Sequence, residues 1–239
     1  MRKVLVFIIL FSVSCKKEPY YPQEAKFQEM LDHLVLECNE RESADYFKAV
    51  IKGQDVCYYD GVNGYSKRID YANFFTTKGP NISSGVISSG HVINFGILLG
   101  VSDATTYQHC ILFQTPVFPV RITKEQYLDS LFSISNHKII DRNNKEGIKV
   151  ELNMFDKQSK NSASVYSFYT ETGYQKEDSY LRFIKADKVN ENGTIYYDIE
   201  MEVQCYLYYH KNEDGFVQYG KEGLWGKLEN GILKMKVKL

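Results

Sequence analysis

The sequence predicts a mainly β protein, an antiparallel β-sandwich or barrel-like meander with an N-terminal amphipathic helix and one short additional helix. Three observations carry this. Over residues 195–209 Ile195, Tyr197, Ile199, Met201, Val203, Cys205 and Leu207 alternate with Asp198, Glu200, Glu202 and Gln204, the period-two pattern of a strand with one buried and one wet face. Asn63-Gly64, Asn192-Gly193, Asp214-Gly215 and Asn230-Gly231 stand between the apolar runs, where the left-handed backbone of a type I′ hairpin turn costs least. Few connections are long enough for a crossover helix, which disfavours a parallel sheet.

Taken in order, the chain opens with Arg2 and Lys3, an apolar run from Val4 to Phe11, and the small-residue stretch Ser12-Val13-Ser14 before Cys15. That is the layout of a cleavable secretory signal. A transmembrane helix takes roughly twenty apolar residues, about twice this run. The cysteine directly after the small residues resembles the lipobox of bacterial lipoproteins. Ser12 stands where that family usually carries Leu, as the relaxed lipoboxes of the Bacteroidota allow. The resemblance implies that the Cys15 thiol is acylated and becomes the new N-terminus. It also implies that the protein is lipid-anchored in the cell envelope, at the outer membrane on its periplasmic or surface face. Each buried acyl methylene contributes about 0.8 kcal/mol, so a multiply acylated cysteine holds firmly. The alternative is an ordinary secreted protein cut near Ser14, with Cys15 incidental.

Three segments follow from this reading: a signal over 1–14, a lipid tether and amphipathic helix over 15–44, and an all-β domain over 45–239. Within 24–42, Phe27, Met30, Leu31, Leu34, Val35 and Cys38 recur at three- and four-residue spacing, which predicts a helix lying on the β domain as a lid or spacer. Residues 46–51 alternate, with Phe47, Ala49 and Ile51 on one face, and turn at Lys52-Gly53-Gln54-Asp55 into a strand over 56–59. The Gly-, Ser- and Asn-rich stretch 79–90 reads as a long exposed loop. A short helix is expected over 123–133, with Thr123 as cap and Gln126 completing a capping box. At the end Leu233, Met235, Val237 and Leu239 alternate with Lys234, Lys236 and Lys238, as in an edge or solvated strand.

A wider resemblance rests on the run 47–53 (Phe-Lys-Ala-Val-Ile-Lys-Gly), an apolar strand over 93–99, and the closing 223–228 (Gly-Leu-Trp-Gly-Lys-Leu). Together these are similar to the small all-β lipoproteins of unknown function common in Bacteroidota. That likeness spans the domain and implies no catalytic residue.

Composition narrows the function. Lys plus Arg number 29 against 30 Asp plus Glu, with no long block of one sign, so the electrostatic footprint of a nucleic-acid binder is missing. After Cys15 the cysteines are Cys38, Cys57, Cys110 and Cys205. Export permits disulfides, and four cysteines allow three pairings, of which Cys38 with Cys57 is the most local; the alternative is that some are plain buried thiols. None of the spacings is C-x-x-C, and His33, His91, His109, His137 and His210 show no H-E-x-x-H or H-x-H pattern, so no metal ligand set or cofactor is indicated. His109 reads as a partly buried sheet residue. Ser88-Ser89-Gly90-His91 lacks the G-x-S-x-G elbow of a serine hydrolase. No catalytic residue is nominated.

Tyrosine stands out, at 19 residues. On the outward register of 195–209 lie Tyr196, Tyr206 and Tyr208, followed by His210, and outward rings on a sheet form a flat stacking platform for sugars. The plain alternative is that tyrosine serves strand propensity and cross-strand pairing. A second candidate is a rim of Tyr58, Tyr59, Tyr65 and Tyr71 around the Asn63-Gly64 turn. The expected function is accordingly a non-catalytic envelope binding module for a glycan or envelope protein, with the membrane as partner through the lipid. A structural or interaction lipoprotein without a small ligand comes second, and a hydrolase third.

Overall fold

A computed structural model describes residues 44–62, 65–77, 86–99, 107–156, 165–171, 173–209, 212–213, 216–217 and 223–239. Cys15, the expected helix over 24–42 with Cys38, the Asn63-Gly64 and Asp214-Gly215 turns, and His210 lie outside them. In chain order the elements are β1 (Tyr46–Ile51), β2 (Gln54–Tyr59), β3 (Tyr65–Thr77), β4 (Val86–Leu99), β5 (Tyr107–Gln114), β6 (Phe118–Pro119), α1 (Lys124–Ser133), β7 (Asn136–His137), β8 (Lys149–Asp156), β9 (Val165–Tyr169), β10 (Tyr180–Glu191), β11 (Thr194–Tyr209), β12 (Asn212–Glu213), β13 (Phe216–Val217) and β14 (Gly223–Lys238).

One antiparallel sheet follows the path β2-β1-β14-β11-β9-β8-β5-β4-β3, with β10 against β11 and β7, and β6 against β4. Its shape follows from ring contacts between distant strands. Four strands separate β1 from β5 along the path, yet the Phe47 and Phe113 rings lie 6.2 Å apart. Tyr58 of β2 stacks at 4.7 Å on Tyr65 of β3, although these strands end the path. The sheet therefore curls around its own inner side chains, and it stays open because β2 and β3 do not pair. It is a curled meander around one core, and a separate two-stranded sheet pairs β12 with β13.

Alternation explains the core. Phe47, Ile51, Val56, Ile93, Ile97, Ile111, Val150, Leu152, Ile199, Met201, Leu233 and Val237 are all buried in a single apolar cluster, each at the inward step of its strand. The opposite register of β10, β11 and β14 is held by ion pairs: Arg182 with Glu202 at 2.5 Å, Lys185 with Asp198 at 2.5 Å, and Lys236 with Glu191 at 2.5 Å. These side chains are partly solvated, so each pair contributes little. Burial does the work.

The short helix forms where its local signals put it. The Gln126 N–H donates to Thr123 Oγ1, the Thr123 N–H donates to Gln126 Oε1, and Leu128, Leu131 and Phe132 are buried. The cap contributes about 1 kcal/mol. Phe132 packs edge-on against Phe183 at 5.0 Å and near Tyr197 at 5.1 Å, which fastens α1 to β10 and β11.

Three expectations change. β14 is an interior strand between β1 and β11, not an edge, and its lysines mark only a wet face. Asn230-Gly231 is a bulge inside β14 rather than a hairpin turn. Asn230 takes a φ of 51°, the conformation a G1-type bulge shares with a type I′ turn, and a Cβ on Gly231 would meet Val203 Cγ1 at 2.6 Å. Residues 86–90, expected in a loop, belong to β4 and pair with β3, Gly90 opposite Phe74. By contrast, Asn192-Gly193 is the hairpin turn it was expected to be, with φ values of 53° and 83° between β10 and β11.

Candidate functional site

The outward tyrosines of β11 are covered. Tyr206 and Tyr208 are each only 9% exposed, beneath the segment 173–178. Gln175 brackets the Tyr206 backbone, its Nε2 donating to the carbonyl at 2.8 Å and its Oε1 accepting from the N–H at 2.9 Å. The Tyr206 hydroxyl donates to Asp178 Oδ2 at 3.2 Å, and Lys176 Nζ sits 4.4 Å from the ring centroid. Tyr208 donates to the Tyr174 carbonyl at 2.5 Å, and a Cβ on Gly173 would lie 2.3 Å from the Tyr208 ring. This corrects the expectation of an open stacking platform at these positions. Tyr196 is half-buried, and His210 is outside the described residues.

Electrostatics reinforce the cover. The Asp178 carboxyl is held below the ordinary carboxylate range, first by a hydrogen bond from Lys227 and also by the Tyr206 hydroxyl. Burial first, then the hydrogen bond to Asp178, push Tyr206 above its ordinary value. The phenol stays protonated and donating at neutral pH. Such an arrangement positions a loop and leaves little of either ring exposed.

The second tyrosine candidate is largely buried as well. Tyr58, Tyr59 and Tyr65 are buried, whereas Tyr71 is 45% exposed. Tyr71 lies 4.7 Å from the His91 ring and 6.0 Å from the Phe118 ring. Phe118 is the pivot of this region: β6 lays it against His91 of β4, it is buried, and it stacks on Tyr127 of α1 at 3.8 Å. Tyr127 in turn donates to the Pro116 carbonyl at 2.8 Å, and burial pushes its hydroxyl up to about 12.

With Phe118 turned inward, its neighbours turn outward. Val117, Val120 and Ile122 are exposed, as is Arg121, so these aliphatic side chains make an apolar rim on the segment leading into α1, while Tyr71, exposed next to Phe118, sits on the inner register of β3 opposite Ile93. Lys124 Nζ donates to the Lys238 carbonyl at 2.8 Å, and burial, with Lys238 nearby, pulls the Lys124 amine below its ordinary value. Two residues back along β14, the Lys236 N–H donates to Asp45 Oδ1 at 2.7 Å. The β domain is therefore entered at the same end of β14 that α1 starts from. Sequence pattern alone did not mark this rim; its only local signal is an apolar run broken by Pro116 and Pro119.

Groups with catalytic potential are placed differently. Burial pushes the Cys110 thiol up to about 11, and Cys205 well above its ordinary value; a thiol held protonated is a poor nucleophile. Cys110 and Cys205 are free, while Cys57 is disulfide-bonded. His137 Nε2 lies 2.9 Å from the Leu131 carbonyl, and burial lowers its affinity for a proton. Ser88 and Ser89 belong to β4, and the side chain of His109 is outside the described residues. Among the described residues, no group of three or more His, Cys, Asp or Glu could hold a metal ion, and no helix is long and apolar enough to cross a membrane.

No protein-family model, no curated protein and no solved structure matches the chain.

Proposed function

We propose that this chain is a lipid-anchored envelope protein, held through acyl groups on Cys15, whose β domain is a non-catalytic binding module working at the membrane surface. The observation that carries the reading is the position of the apolar rim. Val117, Val120, Ile122 and Tyr71 lie at the end of the domain where α1 begins, and Asp45, where the tether arrives, bonds to the same end of β14. A lipid on Cys15 brings that rim within reach of the bilayer. Exposed aliphatic side chains flanked by Arg121 and Lys124 suit the headgroup boundary of an anionic membrane.

The test is vesicle flotation of the chain 16–239 without lipid, using phosphatidylglycerol-rich and pure phosphatidylcholine vesicles. Preferential flotation with the anionic vesicles is expected. Val120→Asp combined with Ile122→Asp should weaken it at least tenfold, since burying each aliphatic side chain contributes about 1.5 kcal/mol or more. Equal flotation of wild type and variant sinks the rim's role. The anchor has its own test: radiolabelled palmitate incorporation that survives Cys15→Ser sinks the lipid on that residue.

A second reading, a structural or interaction protein with no small ligand, is favoured by the same rim and by exposed Ile134 and Ile184 near the other end of α1. A photo-crosslinker at Val117 that captures a defined envelope protein in cells supports it, and recovery of monomer alone argues against it. The glycan form of the binding reading has less to stand on, because Tyr206 and Tyr208 are under cover.

A further inference from the structure

The edge of β3 is a surface that the membrane reading leaves out. β3 ends the sheet path, with β4 on one side and, among the described residues, nothing paired on the other. Which backbone groups face that other side follows from the turn before the strand. The Gly61 N–H donates to the Tyr65 carbonyl, the Tyr65 N–H to the Val62 carbonyl, and the Lys67 N–H to Asp60 Oδ1 at 2.8 Å. A strand turns alternate residues toward each neighbour, so the odd-numbered residues of β3 direct their peptide groups away from β4. The turn occupies Tyr65 and the Lys67 N–H. From the Lys67 carbonyl through Ile69 to Tyr71, the described residues leave the row open to a further strand.

Neither proline nor an early bulge guards this edge, as they do at many others: residues 65–77 contain no proline, and the register shifts only at Thr76 and Thr77. There is also room beside it. β5 lies along β4 only over Asn94–Leu98, and past Ile93 the neighbour is the two-residue β6. Of the charged side chains here, Lys67 is drawn back to Asp45 at 2.5 Å, while Arg68 and Asp70 bond to each other and remain 46% and 39% exposed. These opposite charges flank Ile69 on the outward register, so the strand is complementary to itself. We propose that β3 joins a second copy of this chain edge to edge, about a two-fold axis at Ile69, so that Arg68 of each copy faces Asp70 of the other.

Charge fixes that register. Moving the axis one residue to Asp70 sets two carboxylates face to face, and moving it to Arg68 opposes two guanidinium groups; like charges directly opposite destabilise a sheet. An axis at Tyr71 leaves Arg68 opposite Phe74 and Asp70 opposite Ala72. With the axis at Ile69, that residue exchanges both peptide hydrogen bonds with its own copy. The Tyr71 N–H then reaches the Lys67 carbonyl, the group that Asp60 leaves open. Such an isologous contact closes on itself as a dimer. It rests on neither the apolar rim nor the lipid on Cys15.

Two differently tagged copies of the full chain, co-expressed and solubilised in detergent, test this by co-purification. Wild-type copies are expected to capture each other. Arg68→Asp puts a carboxylate opposite Asp70 at both ends of the contact, and Asp70→Arg puts a guanidinium opposite Arg68, so each variant should capture its own kind about tenfold less or worse. Co-expressing one variant with the other sets every charge against its opposite again and should restore capture. The chain carrying both exchanges should likewise capture itself, and misfolding cannot produce either recovery. Wild-type copies that do not co-purify overturn the proposal. So do single variants that capture their own kind as well as wild type, or a mixed pair and a doubly exchanged chain that both stay at the level of the like-charged pairs.

Discussion

Two regions of this domain carry tyrosines near the surface, and they have opposite fates. On β11, Tyr206 and Tyr208 are roofed by residues 173–178, with every named polar group on the roof satisfied. At the start of α1, Tyr71 stands open beside Val117, Val120 and Ile122. Strand register puts Tyr206 and Tyr208 outside and Tyr71, opposite the core residue Ile93, on the inner side. Whether a side chain meets solvent depends on what else lies over it, and here a distant segment lies over β11. The difference moves the candidate surface from the tyrosine-rich strand to an aliphatic rim.

The sharpest way to break this contrast is to lift the roof. Gly173→Ala places a methyl against the Tyr208 ring, where a Cβ would come within 2.3 Å. An overpacked contact of this kind costs about 1–3 kcal/mol. Val120→Asp on the rim should lie within about 0.5 kcal/mol of wild type, as exposed substitutions do. Urea denaturation of the two variants measures both. A neutral Gly173→Ala would mean that the roof is not packed and that the tyrosines of β11 are available after all.

What was legible in the sequence was local or periodic. The alternation of β11 reports its buried face because one core dictates every second residue, and Thr123 with Gln126 marks the start of α1 because a capping box spans three residues. The cover over Tyr206 comes from Gln175, 31 residues away, through a loop that no periodicity announces. Asn230-Gly231 was read as a turn because bulges and type I′ turns ask for the same left-handed backbone; only the pairing of β14 with β1 and β11 separates the two. The same pairing makes β14 interior, and its three outward lysines are equally suited to a solvated face anywhere in the sheet. At the rim, Val117, Val120 and Ile122 follow no strand or helix period, since their exposure comes from the inward turn of Phe118.

A smaller effect tests the polar half of the roof. Tyr208→Phe keeps the ring against Gly173 and removes the hydroxyl that donates to the Tyr174 carbonyl at 2.5 Å. The expected loss is about 1 kcal/mol, the net contribution of one hydrogen bond, seen as a lower urea midpoint with an unchanged slope. A loss near zero would assign the cover to packing alone.

The smallest effect concerns covered and open tyrosines under alkali. Tyr197 lies on the inner face of β11, donates to Asp129 Oδ1 at 2.7 Å, and is pushed up to about 12, first by burial and then by that hydrogen bond. Its folded form holds the proton more tightly than the unfolded chain, whose tyrosine titrates near 10. The resulting stabilisation is complete below pH 10 and is lost as pH rises toward 12, because the unfolded state sheds its proton first. Nothing changes at neutral pH. Tyr71 at the rim, although itself raised by partial desolvation, is exposed and should ionise within the folded protein. Ultraviolet titration should therefore show an early phenolate component lost in Tyr71→Phe and a late one that coincides with unfolding. Replacing Tyr197 with Phe should flatten the stability profile between pH 10 and 12, and an unchanged slope there would place the Tyr197 hydroxyl in contact with water rather than against Asp129.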